Sequence, residues 1–407
     1  MEKENVLLAR QPIYNSKKEI VAYELLFRES DQLGNQTVSS GSFDGNRATS
    51  RVLLSVFTES DLTTVTAGVP AFINFTADLL QNPPLLDPEF IVIEILEDIA
   101  ITPELVDALK HLKSKGFKLA LDDFVMDDGY REVLPMVDIV KLELPQIGDQ
   151  DLAPLIQQLR AHELQILAEK VETPEQFKRC RDLGCDLFQG YFLSKPEDIK
   201  GRKLAANQLS VIQLISEIQA PDADIPKLTA VIARDPGLSF KLLKLVNSAA
   251  YRRSREIESI QMAVTLLGLE RIKSWASLLA LSKLDDKPQA LHHLALVRAI
   301  MCELIATHIE PNSKERFYTA GLLSCLDAFF DQPLEAIISQ ISLDSAIREA
   351  LLRHQGLNGL ALTTTICFEQ AQWHKIAWDR LSDLGLSAKE INTLYLQAAK
   401  TALDINS

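Results

Sequence analysis

Residues 1–200 alternate short apolar, β-branched runs with segments of helical periodicity, and this alternation constrains the fold more than any other feature. The later runs are almost continuously apolar, as expected for strands buried on both faces of a parallel sheet. Eight strands separated by helices predict a (β/α)8-like barrel, an α/β fold. The predicted strands are residues 6–13, 20–27, 71–75, 90–96, 117–122, 137–142, 165–170 and 186–191.

Two local signals refine this barrel. Helical periodicity over residues 103–115 and 174–183 begins in each case at a Thr-Pro pair, where threonine suits the N-cap and proline the first turn. Only roughly six residues separate the first two strands, which is a hairpin length. We therefore expect one of these two strands to run antiparallel to the rest of the barrel.

The pattern changes after residue 200. Alternating β-type patterns are almost absent from residue 203 onward, and apolar residues recur at helical spacing, as in Leu238, Leu242 and Val246. Prolines interrupt these segments at several points. We expect a barrel domain over residues 1–200 and a separate all-α domain over residues 201–407.

Composition excludes several classes of function. The net charge of −14 argues against sequence-independent nucleic-acid binding, so we expect no DNA partner. We see no signal peptide and no apolar stretch approaching the roughly 20 residues of a membrane span, so we expect a cytoplasmic protein with no membrane partner. The five cysteines form no CxxC pair and are expected to be reduced, buried thiols.

Polar residues interrupt the apolar runs where the predicted strands end, which is where barrels of this kind carry their chemistry. Any one of these acids alone is more often a surface carboxylate or a helix cap. Together at one mouth, carboxylates repel one another unless cations intervene, and oxygen ligands suit Mg²⁺, Mn²⁺ or Ca²⁺. Two such ions can clamp the oxygens of a phosphodiester, with a lysine adding fixed positive charge. The residues are Glu24, Asn74, Glu94, Asp122, Asp123, Lys141, Glu169 and Gln189.

The segments that carry these residues resemble, in order, the motifs of EAL domains. Residues 23–28 (YELLFR) resemble the ExLxR motif, residues 94–97 (EILE) the ExxE motif, and residues 122–124 the DDF motif. Lys141 resembles the lysine of KxD and Asn74 the strand-end asparagine. Residues 168–173 (AEKVET) and 189–191 (QGY) are similar to EGVET and QGY. The resemblance covers residues 5–197.

EAL domains hydrolyse cyclic di-GMP to the linear dinucleotide pGpG with two Mg²⁺ or Mn²⁺ ions. The resemblance implies that Glu169 acts near the metal-bound water and that Lys141 holds this water or the scissile phosphate. It implies nucleotide contacts for Gln11, Arg28 and Gln189, and supporting roles for Glu97 and Glu172. The implied metal ligands are Glu24, Asn74, Glu94, Asp122 and Asp123.

The chain departs from the EAL pattern at three places, of which the loop after Asp123 and Lys170 bear on turnover more than on binding. Active members continue DDF with GTGYSSL, in a loop that helps to organise the second metal and dimer contacts, whereas residues 125–131 here are VMDDGYR. Glu143 replaces the aspartate of KxD, and Lys170 replaces the glycine of EGVET.

Residues 228–248 and 260–281 resemble the HDOD domain, a relative of HD-type metal phosphohydrolases, and the resemblance spans residues 203–405. An HD centre needs a His-Asp pair within residues 321–327, where this chain has Ser324 and Cys325. We therefore expect no metal and no catalysis in this half, which would present a surface to an unknown protein partner.

Three functions remain open from the sequence. The first is a bacterial signalling protein that hydrolyses cyclic di-GMP by two-metal catalysis. The second is a catalytically inactive cyclic di-GMP receptor or interaction scaffold, and the third hydrolyses another phosphodiester. The sequence leaves open whether the chain forms a homodimer.

Overall fold

The computed structural model describes residues 6–29, 62–84, 86–97, 99–122, 124, 132–148, 150–194, 206–246, 257, 259–284 and 287–406. The chain divides into two compact units, one of Met1–Phe192 with Glu369–His374 and the other of Leu193–Phe368 with Lys375–Ser407. The predicted boundary near residue 200 falls in residues 195–205, outside the described residues, and stays a prediction.

The first unit contains a closed barrel of eight strands in sequence order, which confirms the predicted fold class. β1 is antiparallel to both β2 and β8, whereas β2 through β8 pair in parallel. The antiparallel strand expected from the short hairpin is therefore β1. The strands are β1 Val6–Asn15, β2 Ile20–Glu29, β3 Ala71–Phe75, β4 Ile91–Ile95, β5 Lys118–Leu121, β6 Ile139–Glu143, β7 Gln165–Glu169 and β8 Leu187–Gln189.

Local signals fix the helices of the barrel. Thr102 accepts a hydrogen bond from the backbone N–H of Leu105 at the start of the third helix, and Thr173 forms a capping box with Gln176 at the start of the fifth. Both predicted Thr-Pro helix starts are thus confirmed. The helices are α1 Leu62–Thr66, α2 Ala77–Gln81, α3 Pro103–Ser114, α4 Leu152–Arg160 and α5 Pro174–Leu183.

Helix α5 ends at Gly184, whose φ of 105° is the left-handed conformation that favours glycine. The backbone N–H of Cys185 then returns to the carbonyl of Cys180 at 2.9 Å. This geometry brings the side chains on either side of the turn together, which explains why both thiols are buried. All five cysteines are buried and free of disulfides, as predicted.

Apolar side chains fill the barrel interior toward the amino ends of the parallel strands. This core consists of Ile13, Ala22, Phe72, Val92, Ala120, Ile139 and Leu167, with Val21 and Leu187 against it. Since side chains two positions apart on a strand point to the same face, the residues two positions nearer the carboxyl ends of the parallel strands form the next layer of the interior.

The described part of the second unit is helical, which confirms the predicted all-α half. Prolines begin or precede several helices, because proline lacks the N–H that a helix interior needs. The helices are α6 Ala206–Gln219, α7 Ile225–Ala233, α8 Pro236–Val246, α9 Ile260–Leu267, α10 Leu269–Leu281, α11 Gln289–Ile309, α12 Lys314–Leu323, α13 Leu326–Phe330, α14 Leu334–Ile338, α15 Ser345–Arg353, α16 Gly356–Glu369, α17 Trp378–Asp383 and α18 Ala388–Asn406.

Helix α11 corrects one expectation from the sequence. Its 21 residues are long and apolar enough to cross a membrane by length and composition. However, 67% of its most apolar window is buried inside the structure, where it packs against α12 and α18. A helix that is apolar on all sides and mostly buried is also typical of a protein core. The predicted cytoplasmic location stays a prediction.

Candidate active site

The strands bring one polar layer together directly above the apolar core of the barrel. Each of its members lies two residues from a core position on the same strand, so that alternation along the strand aims both inward. The register places Asn74 opposite Glu94 and Gln11 opposite Glu24. The described members are Gln11, Glu24, Asn74, Glu94, Asp122, Lys141, Glu169 and Gln189. Most of the predicted site residues are thus brought together at one mouth.

Lys141 lies at the centre of this layer, with only 1% of its side chain exposed. Its Nζ is 2.6 Å from Glu94, 2.8 Å from Asp122 and 2.8 Å from Glu169. A longer contact of 3.6 Å reaches Glu24. Carboxylates from four strands therefore share one buried ammonium, which offsets part of their mutual repulsion.

Burial shifts the proton affinities in this cluster. Desolvation raises the pKa of Glu94 well above its ordinary range, although the nearby Lys141 lowers it. For Glu169, desolvation outweighs the same lysine and raises the pKa to about 8. Desolvation lowers the pKa of Lys141, but the surrounding carboxylates outweigh it, so that the lysine pKa rises well above its ordinary value. Lys141 is therefore a permanent cation at neutral pH.

The described residues fit divalent ions by their chemistry. The Oδ1 atom of Asn74 and the Oε2 atom of Glu94 are buried without a hydrogen-bond partner, which is costly for oxygen atoms unless a cation is nearby. Oxygen donors of this kind suit Mg²⁺ and Mn²⁺. Among the described residues, however, no three His, Cys, Asp or Glu side chains already form a group able to hold an ion. Lys141 lies between the carboxylates instead.

A hydrogen-bond network borders the cluster on the side of β1 and β8. The amide of Gln189 donates to Gln11 at 2.9 Å and to Glu24 at 2.5 Å. Gln11 in turn donates to the hydroxyl of Tyr191 at 3.3 Å. Tyr191 is not among the residues predicted from the sequence to act at the site, although its place in the QGY motif is a signal. The network fixes the two predicted nucleotide-contacting amides beside the carboxylates.

The position between Gln189 and Tyr191 requires a glycine, Gly190. Its φ is 146°, and a Cβ atom there would lie 2.1 Å from the backbone oxygen of Val171. The chain after β7 therefore packs directly on the backbone after β8, with Val171 donating to the carbonyl of Gln189 at 3.0 Å. This close approach holds the ends of the two strands together at the mouth.

Several predicted site residues are not placed in the cluster. Asp123 and the loop of residues 125–131 lie outside the described residues, as does the side chain of Arg28, although its backbone pairs with Leu7. Glu97 and Glu172 are described and exposed. The backbone N–H of Glu172 donates to Gln176 at 2.7 Å, so its main chain belongs to the cap of α5.

Two of the departures from the EAL motifs contact each other. The Nζ of Lys170 lies 2.5 Å from the Oε2 of Glu143, at the carboxyl ends of β7 and β6. Lys170 has a φ of 51°, a left-handed conformation that costs a residue with a Cβ about 1 kcal/mol. The ion pair joins an exposed lysine to a mostly buried glutamate and offsets part or all of this backbone cost. No motif or spacing in the sequence indicates that these positions pair.

In the helical unit, the segment aligned with an HD centre surrounds an arginine. The buried guanidinium of Arg298 donates to Ser324 at 3.3 Å and to the sulfur of Cys325 at 3.4 Å. The pKa of the nearby Asp327 is raised, because desolvation outweighs the backbone N–H of Ala328 and the charge of Arg298, which both lower it. A fixed cation beside these residues disfavours the binding of a metal ion.

Comparison with known proteins agrees with this architecture. The EAL domain matches residues 59–196, and the HDOD domain matches residues 206–344. The EAL match leaves out β1 and β2, which complete the barrel and contribute Gln11 and Glu24. The HDOD match ends before α15.

Two curated relatives match along almost their whole length. The protein YuxH of Bacillus subtilis, which is described as uncharacterized, is 35% identical over 406 residues, covering 97% of each chain. The cyclic di-GMP phosphodiesterase CdgJ of Vibrio cholerae is 35% identical over 405 residues, covering 98% of this chain and 93% of the relative.

Among solved structures, the manganese and cyclic di-GMP complex of Klebsiella pneumoniae BlrP1 has a TM-score of 0.38 and 24% identity. It covers 47% of this chain and 56% of that chain, a likeness too low to add to the argument. The two relatives that match over nearly the whole chain show its family: the chain belongs to the family of proteins in which an EAL domain is followed by an HDOD domain.

Proposed function

We propose that this protein hydrolyses cyclic di-GMP to pGpG in its EAL barrel. The observation that carries the proposal is the buried Lys141 ammonium within 3 Å of three carboxylates from different strands. This arrangement supports a mouth that handles concentrated negative charge, as a phosphodiester with divalent ions requires. The 35% identity to a cyclic di-GMP phosphodiesterase over nearly the whole chain supports the choice of substrate.

EAL phosphodiesterases depend on metal ions, and we propose that two Mg²⁺ or Mn²⁺ ions serve here. Glu24, Asn74, Glu94, Asp122 and Asp123 would hold them. When bound, such ions polarise the phosphoryl oxygens and lower the pKa of water. The buried, unpartnered oxygens of Asn74 and Glu94 support this role for the described members of the set.

Glu169 would accept a proton during the reaction, and Lys141 would stabilise the developing negative charge. Glu169 would accept the proton of the attacking water as the ionised carboxylate, which bound divalent ions would favour over the protonated form that burial favours. Lys141 keeps the Glu169 carboxylate in place through their 2.8 Å contact and stabilises the negative charge that develops on the phosphate. Neither role requires Glu169 or Lys141 to move from its position in the structure.

Gln11, Gln189 and Arg28 would bind the nucleotide, and Glu97 and Glu172 would support the loops around it. The amide network of Gln11 and Gln189 fixes the direction of its donors and acceptors before the ligand arrives. Such preorganisation reduces the entropy that binding costs. The HDOD half would present a surface to a protein partner.

Incubation of the pure protein with cyclic di-GMP and Mn²⁺, followed by chromatography, tests the proposal. We expect pGpG to accumulate with the wild type and not with Glu169→Gln, which keeps the shape of the side chain. Both proteins should bind the nucleotide when Ca²⁺ replaces Mn²⁺. If both bind cyclic di-GMP and neither forms pGpG, the protein is a receptor; if neither binds, the substrate assignment is wrong.

A further inference from the structure

The ion pair of Lys170 and Glu143 places a second cation at the mouth, beside the carboxylate cluster. Lys170 directly follows Glu169 in the chain, and Glu143 lies opposite Glu169 in the pairing of β6 with β7. The side chain of Lys170 is 57% exposed, whereas that of Glu143 is only 11% exposed. The ammonium is therefore accessible to a solute in the mouth, whereas the carboxylate is mostly buried.

This pair is poorly explained as a device for stability. The left-handed backbone at Lys170 is strained for any residue with a Cβ, and this strain offsets part or all of what the ion pair contributes. A glycine at this position would meet the backbone geometry without strain. Since strained residues cluster at functional sites, this strain points to a function of the side chain itself.

The charge of the mouth suggests that function. The described carboxylates there are Glu24, Glu94, Asp122, Glu143 and Glu169, and the buried cation among them is Lys141. Cyclic di-GMP carries two phosphodiester groups, each with a negative charge. In the proposed reaction the metal ions and Lys141 serve the scissile group. The other group carries its own negative charge, which a further cation at the mouth would offset.

We propose that Lys170 is a substrate-positioning residue that binds the second phosphodiester of the dinucleotide, and that Glu143 holds its ammonium in place until the ligand arrives. The inference deepens the proposed function and rests on it. It assigns a binding role to the side chain that stands where the EAL motif has a glycine, and it assigns Glu143 the opposite energetic role, because Glu143 competes with the phosphate for the same ammonium.

The opposite roles of Lys170 and Glu143 predict opposite effects on cyclic di-GMP binding when each is replaced. Lys170→Met should raise KM for cyclic di-GMP about tenfold, since one charge-assisted hydrogen bond to the ligand is lost, and should change kcat less than about threefold. Glu143→Gln should lower KM by about threefold, because it removes both the competitor and a repelling charge. Dissociation constants measured in Ca²⁺ by calorimetry should move in the same directions, which separates binding from chemistry.

Lys118→Met is the matched control. Lys118 is an exposed lysine at the amino end of β5, away from the mouth, and its loss changes the net charge by the same amount. We expect its KM to stay at the wild-type value, which excludes an effect of total charge on the approach of an anion.

Two outcomes for the variants would overturn the inference. If Lys170→Met and Glu143→Gln both weaken binding by similar factors, the pair braces β6 and β7 and does not bind the ligand. If Lys170→Met lowers kcat at unchanged KM, the lysine acts on the chemical step.

If wild-type protein binds cyclic di-GMP without hydrolysing it, only the enzymatic proposal fails, and the dissociation constants in Ca²⁺ decide on Lys170. If wild-type protein does not bind it at all, both fail.

Discussion

Replacing Lys141 by methionine removes the charge at the centre of the mouth while keeping an unbranched apolar side chain of similar length. The ammonium is buried and contacts Glu94, Asp122 and Glu169 at 2.6–2.8 Å. Removing one partner from a buried ionic cluster costs about 3–5 kcal/mol, because the remaining charges are left without compensation. For a unit of this size, that loss corresponds to a fall in melting temperature of about 6–20 °C.

The loss should depend on pH in a defined direction. The pKa of Glu169 is raised to about 8, so this carboxyl takes up a proton as the pH falls through that value. The raised pKa of Glu94 acts in the same direction. Each proton removes a negative charge that Lys141 would otherwise compensate. The destabilisation of Lys141→Met in EDTA should therefore be large near pH 8.5 and much smaller near pH 5.5.

Urea unfolding in EDTA measures this effect, and amide hydrogen exchange in β4–β7 separates the barrel from the helical unit. Ca²⁺ should restore most of the stability of the variant, because divalent ions can supply the missing positive charge. Hydrolysis in Mn²⁺ should nevertheless stay reduced by at least ~100-fold, since the charge on the phosphate is no longer stabilised. Stability and activity should thus respond differently to metal ions.

Lys273→Met is the matched control, since Lys273 is 4% exposed in α10 and donates to the carbonyl of Ala220 at 3.0 Å. Its loss should lower stability at both pH values without recovery in Ca²⁺. If Lys141→Met unfolds in EDTA near pH 8.5 within about 1 kcal/mol of the wild type, the ammonium does not compensate the cluster and the reasoning fails.

Four further outcomes follow from the structure. Glu24→Ala should reduce hydrolysis at least ~100-fold while the barrel stays folded, and near-normal turnover in Mg²⁺ would remove Glu24 from the metal ligands. Cyclic di-GMP at 100 times its Kd with Ca²⁺ should stabilise the protein by about 2.7 kcal/mol in thermal unfolding; no shift with Mg²⁺, Mn²⁺ or Ca²⁺ would contradict binding. The pKa of Glu169 rises from 4.5 to about 8 on folding, so stability in EDTA should fall as the pH rises through this window, by at most about 1.4 kcal/mol per pH unit, and urea unfolding of Glu169→Gln should show a flatter profile. The fragment 203–407 should give a helical circular dichroism spectrum and no stoichiometric metal by elemental analysis, and phosphohydrolase activity in it would refute a non-catalytic role.

Local residue chemistry predicted most of the fold. The apolar runs predicted the barrel strands because strands buried on both faces need apolar side chains throughout. The helix starts at Thr102-Pro103 and Thr173-Pro174 were predictable because capping involves residues only a few positions apart. The hairpin length required one antiparallel strand but left open which, and pairing of β1 with β8 decided it.

The residues of the candidate site were also recognisable from the sequence, but their interactions were not. The sequence placed Lys141 at a strand end, and only the closed barrel brought its ammonium among carboxylates from four strands. The same is true of Arg298, whose contacts with Ser324 and Cys325 join residues 26 and 27 positions apart.

The sequence by itself determined the order of elements, the all-α second half and the motif residues, because apolar periodicity and capping act over a few neighbouring residues. Only the tertiary structure decided that Lys141 is buried at the centre of the cluster, that the pKa of Glu169 is about 8, and that Lys170 pairs with Glu143. Desolvation and charge contacts depend on which strands lie side by side, and barrel closure sets those distances between residues far apart in the chain.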